Sequence, residues 1–141
     1  MMVRVLPANE RDAARVLAAI SQQTLDEFEV AGTDPAKAIQ NAIARRERMF
    51  VSVAGETPLT LFGFADYGGY LSMWTIATKA FFDLGAPGVF CTRRFFRNLD
   101  LAKPLIVVTT SPHPDTDRWL RLLGFDLIGG TPERREFRLA C

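Results

Sequence analysis

Acid–base chemistry needs a group that can hold and release a proton near neutral pH, and this chain offers one histidine, His113, in Ser111-Pro112-His113-Pro114-Asp115. An imidazole there could donate or accept a proton. Its flanking prolines and its place just ahead of an apolar stretch assign it instead to a local role at a helix start. Among the carboxylates, Asp66 follows the apolar run Leu59–Ala65. It is the best-placed candidate for a general base, set against the commoner reading of an exposed acid at a strand end. The two cysteines, Cys91 and Cys141, form no disulfide framework. Cys91 lies among aromatics and reads as a small buried hydrophobe; Cys141 is the last residue. No Ser/His/Asp or Cys/His set has supporting spacing. One histidine with two distant cysteines makes no zinc site, and the glycines spell neither a P-loop nor a dinucleotide fingerprint. The expectation is therefore no catalytic, no cofactor-binding and no metal-binding residue.

Those residues must be carried by elements that the patterning shows well. Val3–Leu6 reads as a short strand ending at Pro7. Asn9 can cap a helix with Asp12 in its first turn and Ala13, Val16, Leu17 and Ile20 at helical spacing; Leu25, Phe28 and Val30 extend that face until Gly32. A second helix is capped by Thr33 or Asp34, opens on Pro35 and turns Ile39 and Ile43 inward. Its end, Arg45-Arg46-Glu47-Arg48, reads as a solvated face. From Met49 the period becomes that of strands. Runs at 49–54, 58–66 and 69–77, separated by Gly55–Pro58 and Gly68-Gly69, predict an antiparallel meander. A phenylalanine-rich arm follows from Lys79, and a helix from about Gly88 to Leu99 faces Phe95, Phe96 and Leu99 to the sheet. Pro104–Thr110 is apolar and β-branched, as in a strand covered on both faces. The last helix starts near Pro114 with Asp115 and Asp117 in its first turn, lines up Thr116, Trp119, Leu120 and Leu123, and breaks at Gly124. Two strands close the chain around Gly130–Glu133.

Composition bounds the class. A chain of 141 residues suits one domain spanning 1–141, folding with roughly two-thirds of its surface buried. The apolar and charged fractions, 48% and 23%, are ordinary for a globular domain. A net charge of +1 argues against nucleic acid or anionic lipid as a general partner. Lys37, Lys79 and Lys103 are the only lysines among many arginines. The start, Met1–Asp12, lacks the apolar core of a signal peptide, and no apolar run reaches the roughly 20 residues that span a bilayer. A soluble protein made in a reducing cytoplasm is expected.

The order of elements, with a meander before the long helix and a last helix leading into Gly124-Phe125, resembles the GCN5-related N-acetyltransferase (GNAT) fold. That resemblance implies an α/β chain (α+β by some schemes) with a central mixed sheet of about six or seven strands and helices on both faces. It is sharpest over 105–129. The family's last helix often reads N-x-x-A-x-x-x-Y-x-x-x-G-F. Gly124 and Phe125 match it, while His113, Thr116 and Leu120 stand at the Asn, Ala and Tyr positions. The family's tyrosine is thought to protonate the departing CoA thiolate, and Leu120 has no proton to give. Members hold the CoA pyrophosphate with R/Q-x-x-G-x-G/A between the fourth strand and the long helix, where backbone N–H groups receive the anion. Gly85 and Gly88 are present without that spacing, and Phe81, Phe82 and Asp83 occupy the segment.

A narrower resemblance is to bacteriophage proteins similar to internal virion protein A of short-tailed phages, through Trp74–Thr78 and Arg118–Phe125. It implies a non-catalytic, virion-associated or assembly protein. That protein would work through contacts with other phage proteins of the portal, head–tail region or interior, with no cofactor, and would be assembled in the host cytoplasm. Phe81, Phe82, Tyr70 and the arginine-rich helix ends are its candidate contact groups. The alternative is a divergent acyl-CoA-dependent N-acyltransferase acting on a small amine or protein amino group, with acetyl-CoA held by backbone around Ile76–Thr78. A packaging role on nucleic acid rests only on Arg93, Arg94, Arg97, Arg134, Arg135 and Arg138, which are interleaved with acids, and ranks last.

Overall fold

The computed structural model describes residues 2–140, so the terminal thiol of Cys141 lies outside the described residues. Thirteen elements follow in chain order: β1 (Val3–Pro7), α1 (Glu10–Ala18), α2 (Gln22–Ala31), α3 (Pro35–Ala44), β2 (Met49–Ala54), β3 (Thr57–Asp66), β4 (Leu71–Ala77), α4 (Lys79–Leu84), α5 (Ala86–Arg97), β5 (Leu105–Thr109), α6 (Asp115–Leu123), β6 (Phe125–Thr131) and β7 (Arg134–Leu139).

The strands form one mixed sheet of seven in the order β1-β2-β3-β4-β5-β7-β6. All neighbours are antiparallel except β4 and β5, which run parallel and meet only at Leu71↔Leu105 and Ser72↔Ile106. Beyond those two pairs the strands part, and the sheet opens as a wedge toward their carboxyl ends.

Strand alternation loads both faces. Phe50, Phe62, Phe64 and Met73 point to the side covered by α5 and α6, where Phe96, Leu120, Leu123, Phe125 and Phe137 complete the larger core. Val51, Val53, Leu61 and Ile76 point the other way, against Ala13, Val16 and Ile39 of α1 and α3. The larger core is an aromatic network: Phe62 lies 5.4 Å from Phe96 and 5.7 Å from Phe95, ring centre to ring centre.

Local chemistry explains the helix starts. Asn9 and Asp12 form a reciprocal capping box, with bonds of 2.9 and 3.0 Å. Asp34 caps α3 ahead of Pro35. The helix expected through Leu25 and Phe28 is instead two helices. Ile20 pairs with Thr78, and Ser21 donates its N–H to Ala77 O at 2.9 Å. Those bonds to the end of β4 halt α1, and the Ser21 hydroxyl then caps α2. A second departure is α4, in the phenylalanine-rich arm, where the sequence predicts a helix only from about Gly88. Thr78 caps α4, and Phe81 turns into the core at 3% exposure. Arg45, Arg46 and Arg48 are exposed at the end of α3, as a solvated face should be, though the segment is a turn, with Arg46 at a positive φ of 53° and Arg48 over the Phe50 ring at 5.1 Å.

Candidate functional site

The wedge between β4 and β5 opens into a cleft with two compartments. One, of about 240 Å³, lies between Ser72–Thr75 of β4 and Val107–Ser111 of β5 and its following loop, with Phe28 and Leu120 in its walls. The other, of about 170 Å³, extends toward α4 and α5 and is lined by Ala77, Phe81, Phe82 and Val89. Glu27, Thr75, Thr116 and Trp119 border both. A cavity of about 150 Å³ in an apolar core takes up benzene, so each compartment has room for a small organic group.

One carboxylate stands at the junction. Glu27, half-buried on α2, accepts hydrogen bonds at Oε1 from Thr116 Oγ1 at 3.1 Å and from Gln23 Nε2 at 3.2 Å. Thr116 Oγ1 is also 2.8 Å from Ser111 Oγ, which ties α6, the loop after β5 and α2 together across the cleft mouth. Opposite stands the edge of β4. Leu71 donates its N–H toward β5, to Pro104 O at 2.8 Å, and Ala77 donates its N–H to Thr24 Oγ1 at 3.2 Å on that same edge. Period-two alternation therefore turns the backbone N–H and C=O of Thr75 into the wedge, past the last strand pair. Trp119 adds a buried Nε1 that has no hydrogen-bond partner among the described residues; its ring meets Phe81 edge-on at 5.8 Å.

The residues singled out from sequence fall elsewhere. Asp66 sits at the closed end of the wedge. Lys103 Nζ donates to both of its carboxylate oxygens at 2.8 Å, and Gly68 N–H adds a further bond at 2.8 Å. The Lys103 hydrogen bond, then the Gly68 bond, hold its carboxyl below the usual value of 3.8, the wrong direction for a proton acceptor. His113 lines neither compartment; its backbone bonds Thr116 N–H and Ser111 Oγ at the start of α6, and its ring lies 3.4 Å from Asp26 on α2. Phe81 is core rather than a contact group, because α4 rolls it inward; Phe82 and Tyr70 are exposed, at 42% and 39%. Cys91 is half-buried, and its thiol donates to Val3 O at 3.0 Å while burial pushes its pKa up. Arg135 is held in place by Asp117, Pro132 O and Ser111 O, which removes it from any basic patch. Leu120 is 1% exposed and packs in the larger core. Glu27 carried no sequence signal: it is one of several acids on an amphipathic helix, and only the fold turns it to the cleft.

The segment after β4 offers a CoA pyrophosphate few donors. Such an anion would need free amides or a cation. The amides of Thr78 and Lys79 donate to Leu59 O and Ala19 O. That of Phe81 faces the oxygens of Thr78, and that of Gly88 bonds Gly85 O. Pro87 has none. Among the described residues no lysine, arginine or histidine lines either compartment, while Glu27 and Asp115 do. The backbone around Ile76–Thr78, expected from sequence to hold the cofactor, is already engaged at Ala77 and Thr78.

No family profile matches the sequence, and no curated protein does. The fold has many solved counterparts. An acetyltransferase from Thermus thermophilus superposes with a TM-score of 0.69 at 15% identity, over 98% of this chain and 96% of that one. An aminoglycoside N(6')acetyltransferase from Legionella pneumophila gives 0.68 at 11%, over 99% and 92%. A candidate acetyltransferase from Salmonella typhimurium, solved with its cofactor acetyl-CoA, gives 0.62 at 14%, over 99% and 94%. The chain has the GNAT fold.

Proposed function

We propose that this chain is a divergent N-acyltransferase that moves an acyl group from a thioester onto a small amine or a protein amino group. The observation that carries the reading is Glu27, among the described residues the one carboxylate that borders both compartments of a largely apolar cleft, across from the open edge of β4 at Thr75. An ammonium ion entering the cleft finds its counter-charge there. Glu27 then takes the proton that frees the nitrogen lone pair, and Thr116 and Gln23 fix the carboxylate's orientation. Leu120 offers no proton to the leaving thiolate, so solvent must supply it. Further support is the company the fold keeps: the counterparts named above are acetyltransferases, or candidates for that activity. Release of free thiol from an acyl thioester, measured against a panel of amines, tests the reading; turnover that falls in Glu27→Gln is expected, and no turnover with any amine would sink it.

A second reading keeps the fold without the chemistry: a non-catalytic, phage virion-associated or assembly protein, located in the particle after assembly in the host cytoplasm. Buried Leu120 at the family's proton-donor position and the engaged amides of Thr78, Lys79 and Phe81 favour it. Phe82 and Tyr70 would be its contact groups. Co-purification with particles, together with silence in the thiol assay, would select it.

A further inference from the structure

We propose that the cleft recognises its acyl donor through a pantetheine-type arm alone and makes no use of a nucleotide; this rests on the acyltransferase reading above and names its donor class. Three independent features point the same way. The Thr75 edge of β4 is open, so an amide of the arm can pair with it as an added strand would. The compartment beyond, toward Phe81, Phe82 and Val89, is apolar and suits the arm's methylene and methyl groups. Where a diphosphate would follow, the amides of Thr78, Lys79, Phe81 and Gly88 are engaged, Pro87 has none, no cation among the described residues lines the wall, and Asp115 adds like charge. A nucleotide attached to the arm therefore gains nothing from this protein.

The reaction balances without further reactants. The amine nitrogen forms the new C–N bond to the acyl carbon as the C–S bond breaks. Glu27 takes the ammonium's first proton before attack. The second, lost from nitrogen as the C–N bond forms, passes through water to the thiolate, leaving an amide, a free thiol and a protonated Glu27 that returns its proton to solvent. Such an arm occurs on small free thioesters and on carrier proteins, whose own phosphate would stay with the carrier outside the cleft.

Calorimetric titration of the protein with pantetheine and with CoA, both as unreactive thiols, decides between the cases. The proposal expects the two dissociation constants to agree within about threefold. Thiol release from acetyl-pantetheine and from an acetyl-loaded carrier protein then tells the two sources apart, and turnover with either supports the proposal. CoA binding more than about tenfold tighter than pantetheine would overturn it while leaving the acyltransferase reading intact. If neither thiol binds and no thioester turns over, that reading falls and takes the donor proposal with it.

Discussion

Thr116 on α6 and Glu27 on α2 lie 89 residues apart in sequence and are joined by a hydrogen bond of 3.1 Å across the cleft mouth. The bond holds the Glu27 carboxylate, at the junction of the two compartments, in a fixed pose. Replacing Glu27 with glutamine keeps the size and an acceptor for Thr116 but removes the base. The rate of thiol release is expected to fall by about 10²–10⁴-fold. Thr116→Val keeps the base and frees it to turn, so a smaller loss is expected, seen mainly in kcat. Thermal unfolding followed by circular dichroism should show both variants folded.

Asp66 is bound by Lys103 and lies away from the cleft, which argues against a role as base. Asp66→Ala should leave thiol release unchanged, because the residue sits at the closed end of the wedge and is bound to Lys103. The pair has a pH signature. Its folded pKa is lowered from 3.8, so its contribution to stability is present above that value and fades as pH falls below it. Both partners are exposed, so the effect is small and screened by salt. Urea midpoints of wild type and Asp66→Asn, compared at pH 7 and pH 3, should differ more at pH 7.

Leu120→Tyr asks whether the scaffold still has room for the family's proton donor. Leu120 is 1% exposed, and forcing a larger side chain into a packed core costs about 1–3 kcal/mol. The adjoining compartment of about 240 Å³ can receive the phenol ring, which puts the expected loss near the lower end. Urea unfolding measures that loss. A several-fold gain in thiol release would accompany it if the hydroxyl reaches the leaving thiolate.

Gly63 on β3 faces Trp74 on β4, its register partner, so closely that an added Cβ would lie 2.7 Å from the indole Nε1. Real side chains do not pack at that distance. Gly63→Ala should destabilise the protein by about 1–3 kcal/mol in urea unfolding, as overpacking does. It should also shift Trp74, which borders the larger compartment, and so alter the tryptophan emission spectrum.

The scaffold is written in short stretches of chain. Caps at Asn9 and Asp34, turn residues between β2, β3 and β4, the switch of apolar period at Met49 and the break at Gly124 are local signals. Each acts over a few residues, so each could be read without knowing what lay across the molecule. The inward stripe of α6 was legible for the same reason, and Leu120 proved to be core. The site, in contrast, is a product of long-range packing. The split between α1 and α2 depends on Ser21 and Ile20 bonding to the end of β4, more than fifty residues on. Phe81 turns inward only because Thr78, anchored to Leu59 O, starts a short helix there. Glu27, Thr75, Thr116 and Trp119 form one cleft because β4 and β5 pair for two residues and then part. That parting depends on side-chain packing from both faces of the sheet at once, and no local spacing records it.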